Sequence, residues 1–297
     1  MSRLPTYSIS PTFLGVGLGD TGSAICVAGI PLDIGTTNRS GARSGPAAIR
    51  AASRMLVDGL HPQHWVDATK LPLADVGDFA IALGDLDRSL ALIEQQALEI
   101  GHLVALGGDH SITLPLLRAL AKKHAPLALV HLDAHVDTWP DSFGQTYGHG
   151  SVFYHAIEEG LVDPLRMIQI GVRSPVQREV HDWTLARGVT MITAQDVHEA
   201  GPAAIVGRIR EVIGDAAAYL SVDIDVLDPA FAPGTGTPEV GGLASWQVQA
   251  ILRRLQGLRF VGMDLVEVAP AYDVSEITAL AGATMVWEYL SLLGLRL

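Results

Sequence analysis

Leu127-Ala128-Leu129-Val130-His131-Leu132-Asp133-Ala134-His135-Val136-Asp137 is the stretch on which the reading of the fold turns. Its first six residues are apolar apart from His131, as in a strand covered on both faces. The next five alternate an acid or a histidine with a small or β-branched residue, and they come where the strand should end. Outward from here the same layout repeats. Short apolar runs recur at 24–30, 103–106, 166–171, 218–224 and 259–266, separated by helical patterns at 86–100, 114–123, 152–159, 202–213, 245–255 and 276–293. Strands alternating with helices imply parallel strands with helices on both faces. The fold class that follows is α/β, one domain with an open, mainly parallel, doubly wound sheet. A closed eight-stranded barrel is the alternative, and the clear units are too few for it.

In open sheets of this kind ligands bind beyond the carboxyl ends of the strands. The unusual polar residues fall there. Gly107-Gly108-Asp109-His110-Ser111 follows the run at 103–106, Ser221-Val222-Asp223-Ile224-Asp225 follows Tyr219-Leu220, and Glu267 follows 260–266. If 133–137 stays extended, Asp133, His135 and Asp137 share one face while Ala134 and Val136 take the other. Two adjacent carboxylates repel, and one takes up a proton unless a cation lies between them. The plain alternative, a solvated edge strand, sits badly with the apolar flank at 127–132. Asp223 and Asp225 repeat the device at i and i+2, although a turn or a helix cap would use Asp in the same way. His110 follows two glycines at a strand end, so its backbone is specially placed.

Four Asp and two His are too many for one ion, and a carboxylate pair shared between two ions fits them. Mixed carboxylate and imidazole ligation suits Mn²⁺, with Co, Ni, Fe or Zn possible. A structural zinc site would favour thiolates, and the lone Cys26 lies in the apolar run at 24–28, where it reads as packing. Two ions roughly 3.5–4 Å apart can bridge a water and lower its pKa toward neutrality, a hydrolytic nucleophile that needs no Ser or Cys.

The composition agrees. The chain has 297 residues, 48% of them hydrophobic, and a single cysteine, which excludes a disulfide scaffold and fits a reducing compartment. A net charge of -12 argues against nucleic acid as a partner and is permissive toward cationic substrates. The apolar runs are broken by Gly, Pro or charge, so no membrane span is expected, and residues 1–11 lack the pattern of a secretory signal. A cytoplasmic location follows by default.

The stretches 107–111, 133–137 and Ser221-Val222-Asp223-Ile224-Asp225-Val226-Leu227-Asp228-Pro229 resemble the three signatures of the ureohydrolases, the family of arginase, agmatinase and related guanidino-group hydrolases. The resemblance runs over nearly the whole chain, so 1–297 is expected to form one such domain, with 1–20 as an N-terminal extension. It implies a three-layer α/β/α fold and two Mn²⁺ per chain. One ion would take His110, Asp133, Asp137 and Asp223, and the other His135, Asp133, Asp223 and Asp225, with Asp133 and Asp223 bridging. Asp137, His149 and Glu267 are the catalytic residues it implies. His149, in Tyr147-Gly148-His149-Gly150-Ser151, resembles the family's mobile histidine, which passes a proton to the leaving amine; read bare, it is a loop histidine. Glu267 resembles the glutamate that pairs with the guanidinium by a planar, two-pronged contact. The loop at 35–46 is also similar to the family's, and with Pro46 at a helix start it is expected near the mouth of the site, without assigned chemistry.

The substrate's tail sets the member of the family. Arginases read an amino-acid end with a polar residue shortly after the third metal carboxylate, where this chain has Thr138-Trp139-Pro140, so Trp139 is expected to line the substrate pocket. The stretches 231–238 and 266–280 resemble agmatinases. The implied reaction is agmatine to putrescine and urea, the alternative being a guanidinobutyrase or another guanidino-acid hydrolase. A catalytically silent binding subunit belongs to another class, and intact metal positions with His149 and Glu267 stand against it. Acetylpolyamine hydrolases resemble the fold but hold one zinc and would lack the double carboxylate set. The partners implied are a small cationic guanidino substrate and copies of the same chain, as homotrimer or homohexamer.

Overall fold

The computed structural model describes residues 12–296. Eight strands, β1 (Ile25–Ile30), β2 (Leu73–Asp78), β3 (Leu103–Gly107), β4 (Leu127–Leu132), β5 (Val162–Val172), β6 (Thr190–Thr193), β7 (Ala218–Asp223) and β8 (Phe260–Val266), form one sheet in the order β2-β1-β3-β8-β7-β4-β5-β6. Every neighbouring pair is parallel. The sheet is open, with β2 and β6 as its edges, which excludes the barrel.

Helices α1 (Gly45–Ser53), α6 (Ala194–Ile213), α7 (Ser245–Leu252) and α8 (Ile277–Gly294) cover one face, and α2 (Leu86–Ala97), α3 (Thr113–His124) and α4 (Val152–Glu158) cover the other. Alternate residues of each strand feed the two cores. Val104 and Leu106 of β3 join the first, while Leu103 and Ala105 join the second. The remaining helix, α5 (Arg178–Ala186), carries Trp183 against the second core.

Two strands have no counterpart in the sequence reading, and both are edges. β2, Leu-Ala-Asp-Val-Gly-Asp, is half solvated, and β6 has four residues, so neither shows a continuous apolar run. The helix expected at 202–213 is the second half of α6; a capping box of Thr193 and Asp196 starts it earlier, and Gly201 at φ 76 kinks it before Pro202. Apolar α8 has the length of a membrane span, yet two thirds of it (67%) is buried in the core, and its Glu288 is ion-paired to Arg253 at 2.5 Å and bonded to His61 at 2.8 Å.

Part of the expected extension, residues 1–11, lies outside the described residues. From Thr12 on the chain is built into the fold. Phe13 and Leu14 are buried, and the Phe13 N–H donates to Asp75 Oδ2 at 2.7 Å. The same buried Asp75 pairs with Arg50 of α1 at 2.8 Å, tying the β2 edge to the helix layer.

Candidate metal centre and active site

The polar clusters lie at the carboxyl ends of β3, β8, β7 and β4, the four consecutive strands in the middle of the sheet. After β3, Asp109 caps a 3-10 turn (His110–Ile112) by accepting from the Ser111 N–H at 3.0 Å, which turns the His110 ring toward β4 and β7. His110 Nδ1 lies 3.0 Å from Asp137 Oδ2, 3.2 Å from Asp133 Oδ2 and 3.3 Å from Asp223 Oδ2. His135 Nδ1 lies 3.0 Å from Asp225 Oδ2 and 3.2 Å from Asp133 Oδ1. The structure thus brings all six expected ligands together as two adjoining groups that share Asp133.

The means differs from the expected extended strand. β4 ends at Leu132, and 133–137 is a turn in which the His135 N–H donates to Asp133 Oδ1 at 2.6 Å and Asp137 adopts φ 49. Asp225 sits in a 3-10 turn (Ile224–Val226) capped by Asp223, whose Oδ1 accepts the Asp225 N–H at 2.9 Å. The turn that Asp so often makes and the ligand cluster are here one device. Backbone closure of one loop on the other, Ala134 N–H to Asp225 Oδ1 at 3.0 Å, completes the cup. Gly171 of β5, at φ +103, permits it, because a Cβ there would stand 2.9 Å from the Asp133 carbonyl.

Protonation can be followed atom by atom. Ser221 donates to Asp264 Oδ1 at 2.7 Å, so its oxygen accepts from His110 Nε2 at 2.8 Å. Asp264 also accepts from Thr113 and Tyr219. The Ser221 contact thus fixes a proton on His110 Nε2, and Nδ1 is the nitrogen aimed at three carboxylates, the one that offers a lone pair when a cation takes the place of its proton. That nitrogen and Asp225 Oδ2 are buried without a hydrogen-bond partner. Burial pushes Asp223 well above the usual carboxylate range, with Asp225 and Asp133 adding to it, and burial with Asp133 raises Asp225. Burial would lower His110 and His135, yet the surrounding carboxylates push both well above the ordinary imidazole value. Both sets of shifts have one meaning: the cluster is short of positive charge. Divalent cations fit these donors, oxygen-rich with one imidazole for each group.

His131 also approaches the cluster, with Nε2 2.7 Å from Asp133 Oδ2. It is not free to bind an ion. The Gln169 amide donates to its Nδ1 at 3.2 Å and to the Val136 carbonyl at 2.6 Å, so the ring proton is on Nε2 and donates to Asp133. Burial alone would raise Asp133, but His131, with His110 and His135, holds it well below the usual range. The pair His131–Gln169 orients the shared carboxylate, as Ser221–Asp264 orients His110.

Glu267, at φ 66 just beyond β8, accepts from the His110 N–H and from His149 Nδ1 through Oε1, each at 2.9 Å, and its buried Oε2 has no partner. His149 Nε2 faces the loop at 35–46, 2.8 Å from Thr37 Oγ1 and 3.2 Å from the Thr37 N–H. Burial would lower His149; the Glu267 carboxylate, with Asp137 and Asp109 beyond it, overrides this and pushes it up to about 9. The Thr37 N–H requires a lone pair on Nε2, whereas the hydroxyl suits either form of the ring. A guanidinium paired with Glu267 would cancel the charge that favours the imidazolium, so the shift belongs to the substrate-free site. The loop is anchored from below. Asp109 accepts the Gly35 N–H at 2.8 Å, and Asp33 accepts the Gly41 N–H at 2.8 Å and pairs with Arg43.

A cavity of about 430 Å³ opens onto the cluster, lined among others by Thr37, His135, Asp137, Trp139, Asp141, His149, Gln177 and Asp223. Trp139 is held by its indole N–H on Gln177 Oε1 at 2.6 Å. Thr37, Ser221, His131 and Gln169 were not singled out as site residues from the sequence. Of these, His131 alone carries a local signal, a histidine within an apolar strand two residues before an Asp.

The Arginase family model matches residues 23–291. The chain is 46% identical over 274 residues to an agmatinase of Photorhabdus laumondii, covering 90% of this chain and 86% of that one. It is 44% identical over 301 residues to a guanidinopropionase of Pseudomonas aeruginosa, covering 98% and 94%. Among solved structures, a hypothetical agmatinase from Burkholderia thailandensis superposes with a TM-score of 0.92 at 43% identity, covering 98% of this chain and 93% of that one. Proclavaminate amidino hydrolase from Streptomyces clavuligerus superposes at 0.93 with 39% identity, covering 99% and 100%. With the match running across the sheet and through every strand end that builds the cup, the chain belongs to the Arginase family.

Proposed function

We propose that this chain hydrolyses agmatine to putrescine and urea at a centre of two divalent ions, Mn²⁺ before Co, Ni, Fe or Zn. The observation that carries the choice of substrate is the cavity wall. Its charged residues are Asp137, Asp141 and Asp223 with His135 and His149, and among the described residues it includes no Lys or Arg. A carboxylate tail would find no cation among these described residues, whereas the ammonium of agmatine meets the exposed Asp141 at the rim. The indole of Trp139 offers a flat wall for a methylene chain and stands where an amino-acid tail would need a polar anchor.

One ion would be held by His110, Asp133, Asp137 and Asp223, and the other by His135, Asp133, Asp223 and Asp225. Bound there, divalent cations supply Lewis acidity and lower the pKa of a water toward neutrality. The rest is done by side chains. Glu267 receives the guanidinium on its unpartnered Oε2, a charge-assisted bond that fixes the carbon to be attacked. His149, with Nδ1 directed to Glu267, gives the proton that lets the amine leave. The same reading takes the chain as one domain, working in the cytoplasm as a homotrimer or homohexamer.

A guanidino acid is the second reading, favoured by the likeness to guanidinopropionase over 98% of the chain. Steady-state urea release from agmatine, 4-guanidinobutyrate, 3-guanidinopropionate and arginine on Mn²⁺-loaded protein decides between them. Agmatine should lead and arginine should come last. A guanidino acid ahead by tenfold in kcat/KM, about 1.4 kcal/mol in transition-state binding, sinks the agmatine assignment. Urea from none of the four leaves a hydrolase of another guanidino compound or a silent binding protein.

A further inference from the structure

The loop at 35–46 leans on His149, an imidazole that does not belong to the ligand cluster. His149 is held from three sides: its N–H donates to the Gly35 carbonyl at 3.0 Å, Nδ1 meets Glu267 Oε1 at 2.9 Å, and Nε2 meets the Thr37 hydroxyl at 2.8 Å. The two ring nitrogens therefore face different surroundings. Nδ1 looks toward Glu267, buried at 1% exposure, while Nε2 looks toward Thr37, an exposed residue on the cavity wall. His149 itself is buried at 8% exposure. Once substrate has cancelled the charge that favours the imidazolium, a neutral ring that gives up its Nδ1 proton must take one on Nε2 in the same step, because an imidazole stripped of both protons is out of reach at neutral pH.

We propose that Thr37 is a positioning residue for catalysis, whose hydroxyl holds the His149 ring by Nε2 and links that nitrogen to solvent as the entry of a proton path. The transfer balances. The Nδ1 proton passes to the nitrogen of the departing amine while Nε2 takes the Thr37 hydroxyl proton and the hydroxyl oxygen takes one from water. Between turnovers Nδ1 regains a proton from water and Nε2 returns its own to solvent through Thr37, which restores the lone pair that faces the Thr37 N–H. The water that attacks the guanidinium carbon gives up both its protons, one to the medium and one to the released amine, which leaves as the ammonium ion, so no net proton is gained or lost. The anchors make the arrangement stiff. Asp109 grips Gly35 and Asp33 grips Gly41, so the Thr37 backbone N–H stays 3.2 Å from Nε2 and stops the ring from turning over. The bare motif around His149 contains none of this, because its partner lies 112 residues earlier in the chain.

The inference rests on the guanidino-hydrolase reading. The test compares wild type, Thr37→Val and Thr37→Ser, each Mn²⁺-loaded, by urea release with the best substrate of the panel. Thr37→Val keeps the backbone N–H and the shape but has no hydroxyl. It should lower kcat on the order of ten- to a hundredfold, a part of the effect typical of a whole acid–base group. KM should stay within about threefold, the metal content should not change, and millimolar imidazole should restore part of kcat. Thr37→Ser should restore most of it without imidazole. A purely structural or substrate-binding Thr37 would instead move KM or the thermal midpoint and would not respond to imidazole. An unchanged kcat in Thr37→Val, or a Thr37→Ser as impaired as Thr37→Val, overturns the inference. If wild type releases no urea from any guanidino compound, the functional reading fails, and this one with it; failure confined to the variants touches this one alone.

Discussion

Replacing Ser221 by Ala tests whether the centre is set from behind. The Ser221 hydroxyl sits between His110 Nε2 at 2.8 Å and Asp264 Oδ1 at 2.7 Å, and all three residues are fully buried. Removal strands a ring N–H and takes one of three hydroxyl donors from Asp264, leaving those of Thr113 and Tyr219. An unsatisfied buried donor costs about 1–3 kcal/mol, and no water replaces it unless the small void admits one. The metal-free variant should therefore lose on the order of 2 kcal/mol of stability. Ion binding should suffer separately, because the ring no longer has a fixed tautomer. The loss of an outer partner of a histidine ligand typically weakens the site about 10–100-fold, or roughly 1.4–2.8 kcal/mol. Only the ion next to His110 should be affected, since His135 has its own contacts to Asp133 and Asp225. Calorimetric titration with Mn²⁺ should accordingly show one site near wild-type affinity and one weakened. Two sites filling as in wild type would refute the claim that Ser221 and Asp264 orient the ligand.

Asp133→Asn should weaken both ions together, read as loss of both equivalents by elemental analysis after gel filtration, because Asp133 stands in both groups. His149→Ala should lower kcat by about 10²–10⁴ with metal content intact; an unchanged kcat means that the amine takes its proton elsewhere. Asp141→Lys should turn preference away from agmatine toward 4-guanidinobutyrate, seen as a changed ratio of kcat/KM values, and an unchanged ratio removes Asp141 from the tail contacts. His102 should contribute an acid-sensitive part of stability. Burial lowers it to about 4 while Nε2 is hydrogen-bonded to the Tyr289 hydroxyl at 2.8 Å. A folded pKa below the unfolded value of about 6.5 means that this contribution is present above pH 6.5 and is lost as pH falls toward 4, at most about 3 kcal/mol. His102→Gln should flatten that stretch of the stability curve, measured by denaturant unfolding from pH 7 to 4.

What could be read from the sequence follows a physical division. β1, β3, β4, β5, β7 and β8 are interior strands, and their continuous apolar runs showed them. β2 and β6 are edges with half-wet or short sequences, and no periodicity marks them. The candidate ligands were legible because each group falls within a few residues of a strand end. Their geometry was less so, since Asp133, His135 and Asp137 converge by a turn with φ 49 at Asp137, a backbone choice that alternation rules do not contain. The supporting shell was beyond reach. Gln169 serves His131 across 38 residues, and Asp264 serves Ser221 across 43, with ordinary residues in ordinary strands.

The order of the central strands has a consequence for how the protein is made. β3 and β4 leave the ribosome early, yet in the finished sheet β8 and β7 stand between them. A nascent chain that has delivered His110, Asp133, His135 and Asp137 still lacks Asp223, Asp225 and Glu267 and the strands that would bring the earlier residues into register. The half-made molecule thus has the acids without the cup, and its sheet must wait with an open middle for its last two interior strands. On the two-ion reading, loading with metal would come only at the end of synthesis, and a chain truncated before β8 should be both unpaired at its centre and unable to retain ions.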